Sequence, residues 1–443
     1  MRPLGIDLFA GAGGMSLGFE QAGFDVAAAV EVDPVHCATH KFNFPNCAVV
    51  PRSVVGLSAQ QIRHVAGIGD SKIAVVFGGP PCQGFSLIGQ RCLDDARNRL
   101  VLEFVRLVAE LDADSFVFEN VKGLTLGPHK AFLIELIEAF EEVGYSVRTP
   151  PQVLNAAFFG VPQNRERLIV LGAKNGASLP NYPKTLTAPN ANNGNGHAIA
   201  TPTCKEALAD LPNAEDYDYL FQQDEVFVAK WGKPSAYAAE LRSLTDSAWH
   251  FGHRRLWNPR VLTSSMRTEH TDISRRRFAE TKQGGIEPIS RFYRLPPDGL
   301  SNTLRAGTDS ARGAFTSPRP LHYAYPRCIT VREMARLHGF PDWFRFHRTK
   351  WNGARQIGNA VPPPLARAVA REVIRSLGVK PVHPKGLQPL GDSELLGMDM
   401  REAARYFGID VPIGKRDRKS GARKRKQEEI ELERLKLKAN VYA

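Results

Sequence analysis

The sequence predicts a doubly wound α/β fold of the Rossmann-like kind, joined to a smaller, loop-rich second domain. Three observations lead there: short apolar runs alternate with amphipathic segments over residues 1–173, turns bound each run, and a glycine turn closes the first. The candidate strands, in order, are Leu4–Ala10, Val26–Val32, Ile73–Phe77, Ser115–Phe118 and Leu168–Leu171. Each is a short aliphatic or aromatic run, the pattern of a strand buried on both faces. Met15–Ala22, Arg99–Leu111 and Lys130–Val143 carry apolar residues at helical spacing. Alternation of the two kinds implies a parallel sheet with helices on both sides.

Beyond residue 173 the texture changes. Pro, Asn and Gly cluster at Leu179–Gly196, periodicity weakens, and basic residues gather at Arg254–Arg255, Arg275–Arg277 and Arg305–Arg319. Helices are expected again at Ile329–Leu337, Pro362–Leu377 and Met400–Phe407. The expected division is residues 1–173 plus 347–378 as one domain, 174–346 as the second, and 379–443 as an extension. The segment Lys415–Lys426 is almost wholly basic, so the end of the chain reads as a solvated, partly mobile tail.

With 443 residues the chain can bury substantial cores, and 58 Lys and Arg against 46 Asp and Glu give a net charge of +12. That balance favours a polyanionic partner, because each cation meeting a phosphate releases counterions. The six cysteines (Cys37, Cys47, Cys82, Cys92, Cys204, Cys328) make no CxxC pair and no zinc-spaced cluster, so free thiols and no metal are expected. No apolar stretch is long enough to span a bilayer, and a cytoplasmic location is expected.

The run Asp7-Leu8-Phe9-Ala10-Gly11-Ala12-Gly13-Gly14 ends the first strand in a glycine turn and enters a helix. Such a turn lets backbone amides approach a ligand closely. Ser16 stands where the dinucleotide fingerprint needs its last glycine, which disfavours a nicotinamide cofactor. Glu31, at the end of the second strand, lies where an acidic side chain can accept from both ribose hydroxyls. A nucleoside without a diphosphate fits this pair, and S-adenosylmethionine is one.

Gly78-Gly79-Pro80-Pro81-Cys82-Gln83-Gly84-Phe85-Ser86 follows the Ile73–Phe77 strand and so reaches the same sheet edge. A buried structural cysteine fits poorly inside a Gly/Pro loop. A thiolate there suits addition to carbon 6 of a cytosine, which turns carbon 5 into a nucleophile. Glu119 ends the next strand, where a desolvated carboxyl can protonate ring nitrogen 3 or, more plainly, cap or bridge. Gln163-Asn164-Arg165-Glu166-Arg167 precedes the last strand. Arg165 is placed to orient Glu119 or to hold the base carbonyl, and Arg167 reads as a structural ion-pair partner or a substrate contact.

With these residues in hand, the chain resembles the DNA (cytosine-5) methyltransferases of restriction–modification systems, over roughly Leu4–Ala370. The blocks that carry the resemblance are Asp7–Gly14, Glu31–Pro34, Gly79–Ser86, Asp95–Leu100, Glu119–Val121, Gln163–Arg167, Thr330–Pro341 and Arg355–Pro364. It implies S-adenosyl-L-methionine held by Phe9, Gly11, Gly13, Gly14, Glu31 and Pro80, with Asn359 closing the pocket. It implies Cys82 as nucleophile with Glu119 and Arg165 as catalytic partners, and Gln83, Ser86 and Arg167 against the flipped base. It also implies double-stranded DNA as substrate, a target-recognition role for the second domain, a cognate restriction endonuclease, and a monomer on DNA. Two departures concern adenine. The carboxylate that the family often places after the third strand is replaced by Ser53, and the aromatic residue after the glutamate by Val32.

Two other readings compete. An RNA cytosine methyltransferase shares the fold, but the tRNA-acting relatives carry a small second domain where this one is long and basic. A non-catalytic DNA-binding regulator is opposed by the intact set Cys82, Glu119, Arg165 and Gln356–Val361.

Overall fold

The computed structural model describes residues 2–81, 99–125, 129–189, 199–307 and 318–411. The first half contains the five strands and three helices that the sequence predicts, with α2, β3, α3, β6 and β7 in addition: β1 (Leu4–Leu8), α1 (Gly14–Ala22), β2 (Asp25–Val30), α2 (Pro34–Asn43), β3 (Ala48–Val50), α3 (Ala59–Ala66), β4 (Ile73–Gly78), α4 (Arg99–Glu110), β5 (Ser115–Val121), α5 (His129–Glu142), β6 (Tyr145–Val147), β7 (Gln152–Asn155) and β8 (Glu166–Lys174). Among the described residues one eight-stranded sheet runs β3-β2-β1-β4-β5-β8-β6, with β7 paired to β8. The pairs β3/β2, β2/β1, β1/β4 and β4/β5 are parallel.

The strands alternate side chains between two cores, as a pleat of period two requires. Ile6, Leu8, Val76, Phe116, Phe118, Leu168 and Val170 point toward Ile62 of α3 and toward α4 and α5. Val75, Phe77, Val117, Ile169 and Leu171 point to the other face, against Phe19 of α1 and Leu365, Val369 and Val373 of α11 (Pro363–Ser376). Thus α11, more than 300 residues beyond β1 in the sequence, covers the sheet beside α1. Their contact is close because Gly18 has no side chain; a Cβ there would lie 2.4 Å from that of Ala366.

The sheet is not parallel throughout, which corrects one expectation. β8 runs antiparallel to β5, β6 and β7. The connection from β7 to β8 spans only residues 156–165 and contains one 3₁₀ turn, Ala156–Phe159, so it cannot make the crossover a parallel partner needs. This reversal brings the start of β8, rather than its end, to the carboxyl edge of β4 and β5.

The remainder is less regular. Helices α6 (Cys204–Leu208), α7 (Ala236–Leu241), α8 (Asp272–Glu280), α9 (Val331–His338) and α10 (Lys350–Asn359) lead back to α11, and α12 (Met400–Phe407) follows. The short strands β9 (Thr187–Ala188), β10 (Ile199–Ala200), β11 (Val226–Phe227), β12 (Arg254–Leu256), β13 (Val261–Leu262) and β14 (Leu387–Pro389) pair only in twos. One core joins this part to the first: Leu17, Ala29 and Phe44 pack with Leu208, Met334, Leu337, Phe340 and Phe346.

Arginines hold much of the second part together. Arg255 is buried and bonds Glu20 Oε2 at 2.7 Å, and Arg319 is buried against the Ile329 carbonyl at 2.9 Å. Arg275 pairs with Glu215, and Arg277 lies 3.8 Å from Glu287. Of the basic residues grouped in the sequence, Arg255 and Arg319 belong to the interior and Arg275 and Arg277 are half-buried ion-pair partners, while Arg254, Arg276 and Arg305 are exposed.

Fully buried Arg336 grips Asp342 with two bonds of 2.6 and 2.7 Å and reaches Asp210 Oδ1 at 2.9 Å. Removing one member of such a cluster strands the others in low dielectric. Arg336→Ala is expected to lose about 3–5 kcal/mol of stability in urea denaturation. A loss under about 1 kcal/mol would show that the two carboxylates find water or other donors.

Candidate active site

Strand order reverses at β1, because β2 and β3 lie on one side and β4 and β5 on the other. The crevice beyond the carboxyl ends of β1 and β4 is where such sheets bind ligands. A cavity of about 820 Å³ opens there. Its walls include Phe9, Gly11, Gly14, Glu31, Pro80, Glu119, Arg165, Arg167 and Asn359. The structure therefore brings together nine of the residues singled out from sequence, drawn from six strand ends and helix ends. Gly13 is the exception among those described. It caps α1 at φ 101°, where a Cβ would meet the Phe44 ring at 2.4 Å, so packing accounts for it. Cys82, Gln83 and Ser86, with most of the basic tail, lie outside the described residues.

The floor is set by backbone that tolerates no side chain. A Cβ on Gly78 would stand 1.9 Å from the Leu8 carbonyl oxygen, and one on Gly14 would stand 2.5 Å from that of Val361. Phe9 takes φ 65°, a costly conformation for a residue with a side chain, at the turn between β1 and α1. Glu31 is fixed from two directions: Gly11 N–H donates to Oε2 at 2.8 Å and Asp33 N–H to Oε1 at 2.9 Å. Each oxygen keeps lone-pair capacity for a second donor. A ribose diol on Glu31 and a nucleoside-sized cavity fit S-adenosylmethionine, and no phosphate-gripping cation is needed.

At the other end Glu119 and Arg167 face each other across β5 and β8. Glu119 stands opposite Ile169, so Arg167 is its diagonal neighbour on the same face. Arg167 Nε lies 2.7 Å from Glu119 Oε1. Burial pushes the Glu119 carboxyl above the usual carboxylate range, while Arg167 and then Arg165 pull it back. Oε2 points past Gly79, where a Cβ would come within 2.4 Å of it. The neighbouring Asn120, to which the sequence assigned no role, donates from Nδ2 to the Pro80 carbonyl at 2.9 Å and so fixes the entry to the Cys82 loop.

Arg165 lines the crevice but is anchored by backbone rather than by Glu119. Its guanidinium is completely buried and donates to the carbonyls of Leu304 (2.9 Å), Gly358 (2.7 Å) and Ala360 (2.9 Å). The direct partner of Glu119 is Arg167, and Arg165 acts on it through space. Gln163 was also missed as a structural part. It is buried, accepts from Leu304 N–H at 3.0 Å and donates to the Leu337 carbonyl at 3.2 Å.

Beneath the glycine turn lies a buried polar chain. Ser16 Oγ donates to Asp7 Oδ2 at 2.5 Å and lies 3.0 Å from His40 Nε2. Burial pushes Asp7 up to about 8 and His40 down to about 3, which favours a neutral imidazole. Four cysteines are described, Cys37, Cys47, Cys204 and Cys328; all are buried, with thiols pushed up by desolvation, and none lines the crevice. They are poor candidates for a thiolate.

The chain matches the family described as C-5 cytosine-specific DNA methylase over residues 4–375. It is 55% identical over 412 residues to the type II methyltransferase M.XorII of Xanthomonas oryzae, covering 93% of this chain and 94% of that one. It is 33% identical over 377 residues to M1.HphI of Haemophilus parahaemolyticus, covering 84% and 86%. Among solved structures, a candidate DNA modification methyltransferase encoded within an E. coli prophage superposes with TM-score 0.68 at 32% identity, covering 85% of this chain and 100% of that one.

The pKa of Asp7 predicts a pH effect. The native state keeps a proton that an unfolded aspartate releases near pH 4, so stability falls as pH rises from about 4 to about 8. Unfolding free energy measured between about pH 5 and 7 should drop by up to about 1.4 kcal/mol per pH unit more in wild type than in Asp7→Asn. Equal slopes would mean that Asp7 is ionised in the fold.

Proposed function

The chain belongs to the C-5 cytosine-specific DNA methylases, as a type II enzyme of the restriction–modification class, and from that membership we propose how its crevice performs the reaction. The observation that carries the proposal is the buried Glu119–Arg167 pair at the mouth of a nucleoside-sized cavity whose far end holds Glu31.

S-adenosylmethionine would be held in the crevice by Glu31, at its ribose, and by Phe9, Gly11, Gly14, Pro80 and Asn359, which line the same cavity. When bound it supplies an electrophilic methyl group on a sulfonium. The target cytosine, unreachable in a duplex, swings out of the helix at a cost of a few kcal/mol. The Cys82 thiolate forms a bond to carbon 6, and the displaced ring electrons move toward nitrogen 3. Glu119, whose carboxyl is pushed up by burial, shares or donates a proton there and stabilises the charge. Arg167 keeps the carboxyl aimed and lies within reach of the base carbonyl. Carbon 5 would then form a bond to the methyl carbon as the sulfonium's sulfur–methyl bond breaks, its electron pair remaining on sulfur as the thioether of S-adenosylhomocysteine. Loss of the carbon 5 proton and expulsion of the thiolate restore the aromatic ring and the free cysteine. Gln83 and Ser86, which follow Cys82 in the sequence, are assigned by the family resemblance to the base or its backbone.

Residues 174–346 read the DNA sequence, while residues 1–173 and 347–378 carry the chemistry. The enzyme works as a monomer on DNA in the bacterial cytoplasm, protecting host DNA from a cognate restriction endonuclease.

Duplex DNA with 5-fluorocytosine at the target tests the covalent step, because fluorine at carbon 5 cannot leave as a cation. With S-adenosylmethionine, wild type should form a denaturation-resistant adduct and Cys82→Ser none. Glu119→Gln should slow methyl transfer to ordinary DNA by about 10²–10⁴-fold. Near-normal methylation by Cys82→Ser would overturn the mechanism.

A further inference from the structure

The adenine end of the crevice lacks the groups expected from the first half of the chain, and the structure supplies others. Val32, which follows the ribose glutamate, is 53% exposed and lines the main cavity. It also lines an adjoining cavity of about 320 Å³, so the two spaces share a wall. The first half of the chain lines the smaller cavity with Pro51, Arg52, Ser53, Val55 and Gln61 and with no carboxylate, and Gln61 Oε1 is engaged by Ser58 N–H at 3.0 Å. Its opposite side is formed by Ile409 and Asp410, more than 350 residues away in sequence, and Met400 reaches the main cavity from the same segment.

This segment is fixed where it lies. Leu395, Leu396 and Ala403 pack on Val35, Ala38 and Phe42 of α2, the helix that begins directly after Glu31-Val32-Asp33. Gly391 N–H donates to the Phe42 carbonyl at 2.8 Å, and Arg348 N–H to that of Leu396 at 2.8 Å. Parallel pairing of β14 with β12 anchors its start. α12 is closed by a capping box at Asp399–Glu402, and Gly408 ends it at φ 65°. Ile409 N–H then bonds back to the Ala404 carbonyl at 3.0 Å, which turns the chain toward the β3 loop.

We propose that this C-terminal segment completes the adenine subsite, with Asp410 accepting a hydrogen bond from the 6-amino group and Met400, Ile409 and Val32 packing on the purine ring. The proposal rests on the reading of the crevice as the S-adenosylmethionine site. The chemistry suits each part. A purine needs apolar contact on its faces, and a thioether adapts to an aromatic surface. An amino group needs an acceptor, and a carboxylate can only accept, whereas Ser53 has one of its two lone pairs engaged by Val55 N–H at 3.2 Å. Asp410 is exposed, so its replacement leaves the packing of α12 intact.

Calorimetric binding of S-adenosylhomocysteine and S-inosylhomocysteine to the full chain tests this, because the second compound replaces the 6-amino donor with an oxo acceptor. Wild type should prefer the adenosyl compound by about tenfold or more, as for a hydrogen bond to a charged group. Asp410→Ala should cut that preference to within about threefold, and Asp410→Asn, whose amide can donate to the oxo group, should narrow or invert it. Met400→Ala should weaken both compounds alike. An unchanged preference in both Asp410 variants would overturn the proposal. Binding of neither compound by wild type would overturn the cofactor reading beneath it.

Discussion

A single buried cation organises the catalytic edge. Among the described residues the Arg165 guanidinium forms no salt bridge with a carboxylate; it is held by backbone carbonyls of Leu304, Gly358 and Ala360. Taking a charge into the interior is tolerable only if acceptors are found for it, and here both terminal nitrogens find carbonyls from two distant stretches of chain, while Nε bonds to none of the described residues. Desolvation and the nearby charge of Arg167 work against the Arg165 proton, and Glu119 works for it. The three segments must therefore stay together for any of them to be stable. Gly358 shows how tightly they are drawn, since a Cβ there would lie 2.3 Å from the Ala306 backbone nitrogen. A lysine could not replace the arginine, because a point charge does not span three carbonyls.

The pocket's division of labour follows. Arg165 builds the wall, and Arg167 aims Glu119. Both face the crevice edge because β8 runs antiparallel to β5, a direction set by the short return from β7. Most of the site was legible in the sequence: Gly11, Glu31, Pro80 and Glu119 all fall at the ends of runs whose β-strand character is plain, and the switch in strand order does the rest. What was not legible depended on direction. A run of apolar residues does not say which way a strand points, so the two arginines could be placed on the edge but not assigned between wall and carboxylate.

The second part of the chain was hard to read for a different reason. Its interior is built substantially from arginines clasping carboxylates and carbonyls, as at Arg255, Arg319, Arg332 and Arg336. Such a core leaves no apolar period in the sequence, and its cations imitate a nucleic-acid surface. The helices that do carry apolar spacing, α9, α11 and α12, were visible and lie within two residues of their expected limits. What they pack against was not visible. The docking of residues 390–403 on α2 joins the end of the described chain to the helix that follows Glu31, a contact only the fold reveals.

Bisulfite sequencing of DNA from a bacterial host that lacks its own cytosine methylation and expresses this chain tests the central claim most directly. The account predicts protected cytosines at one recurring sequence throughout the genome, each at the same position within it. Protection no greater than in the host without the chain would contradict it.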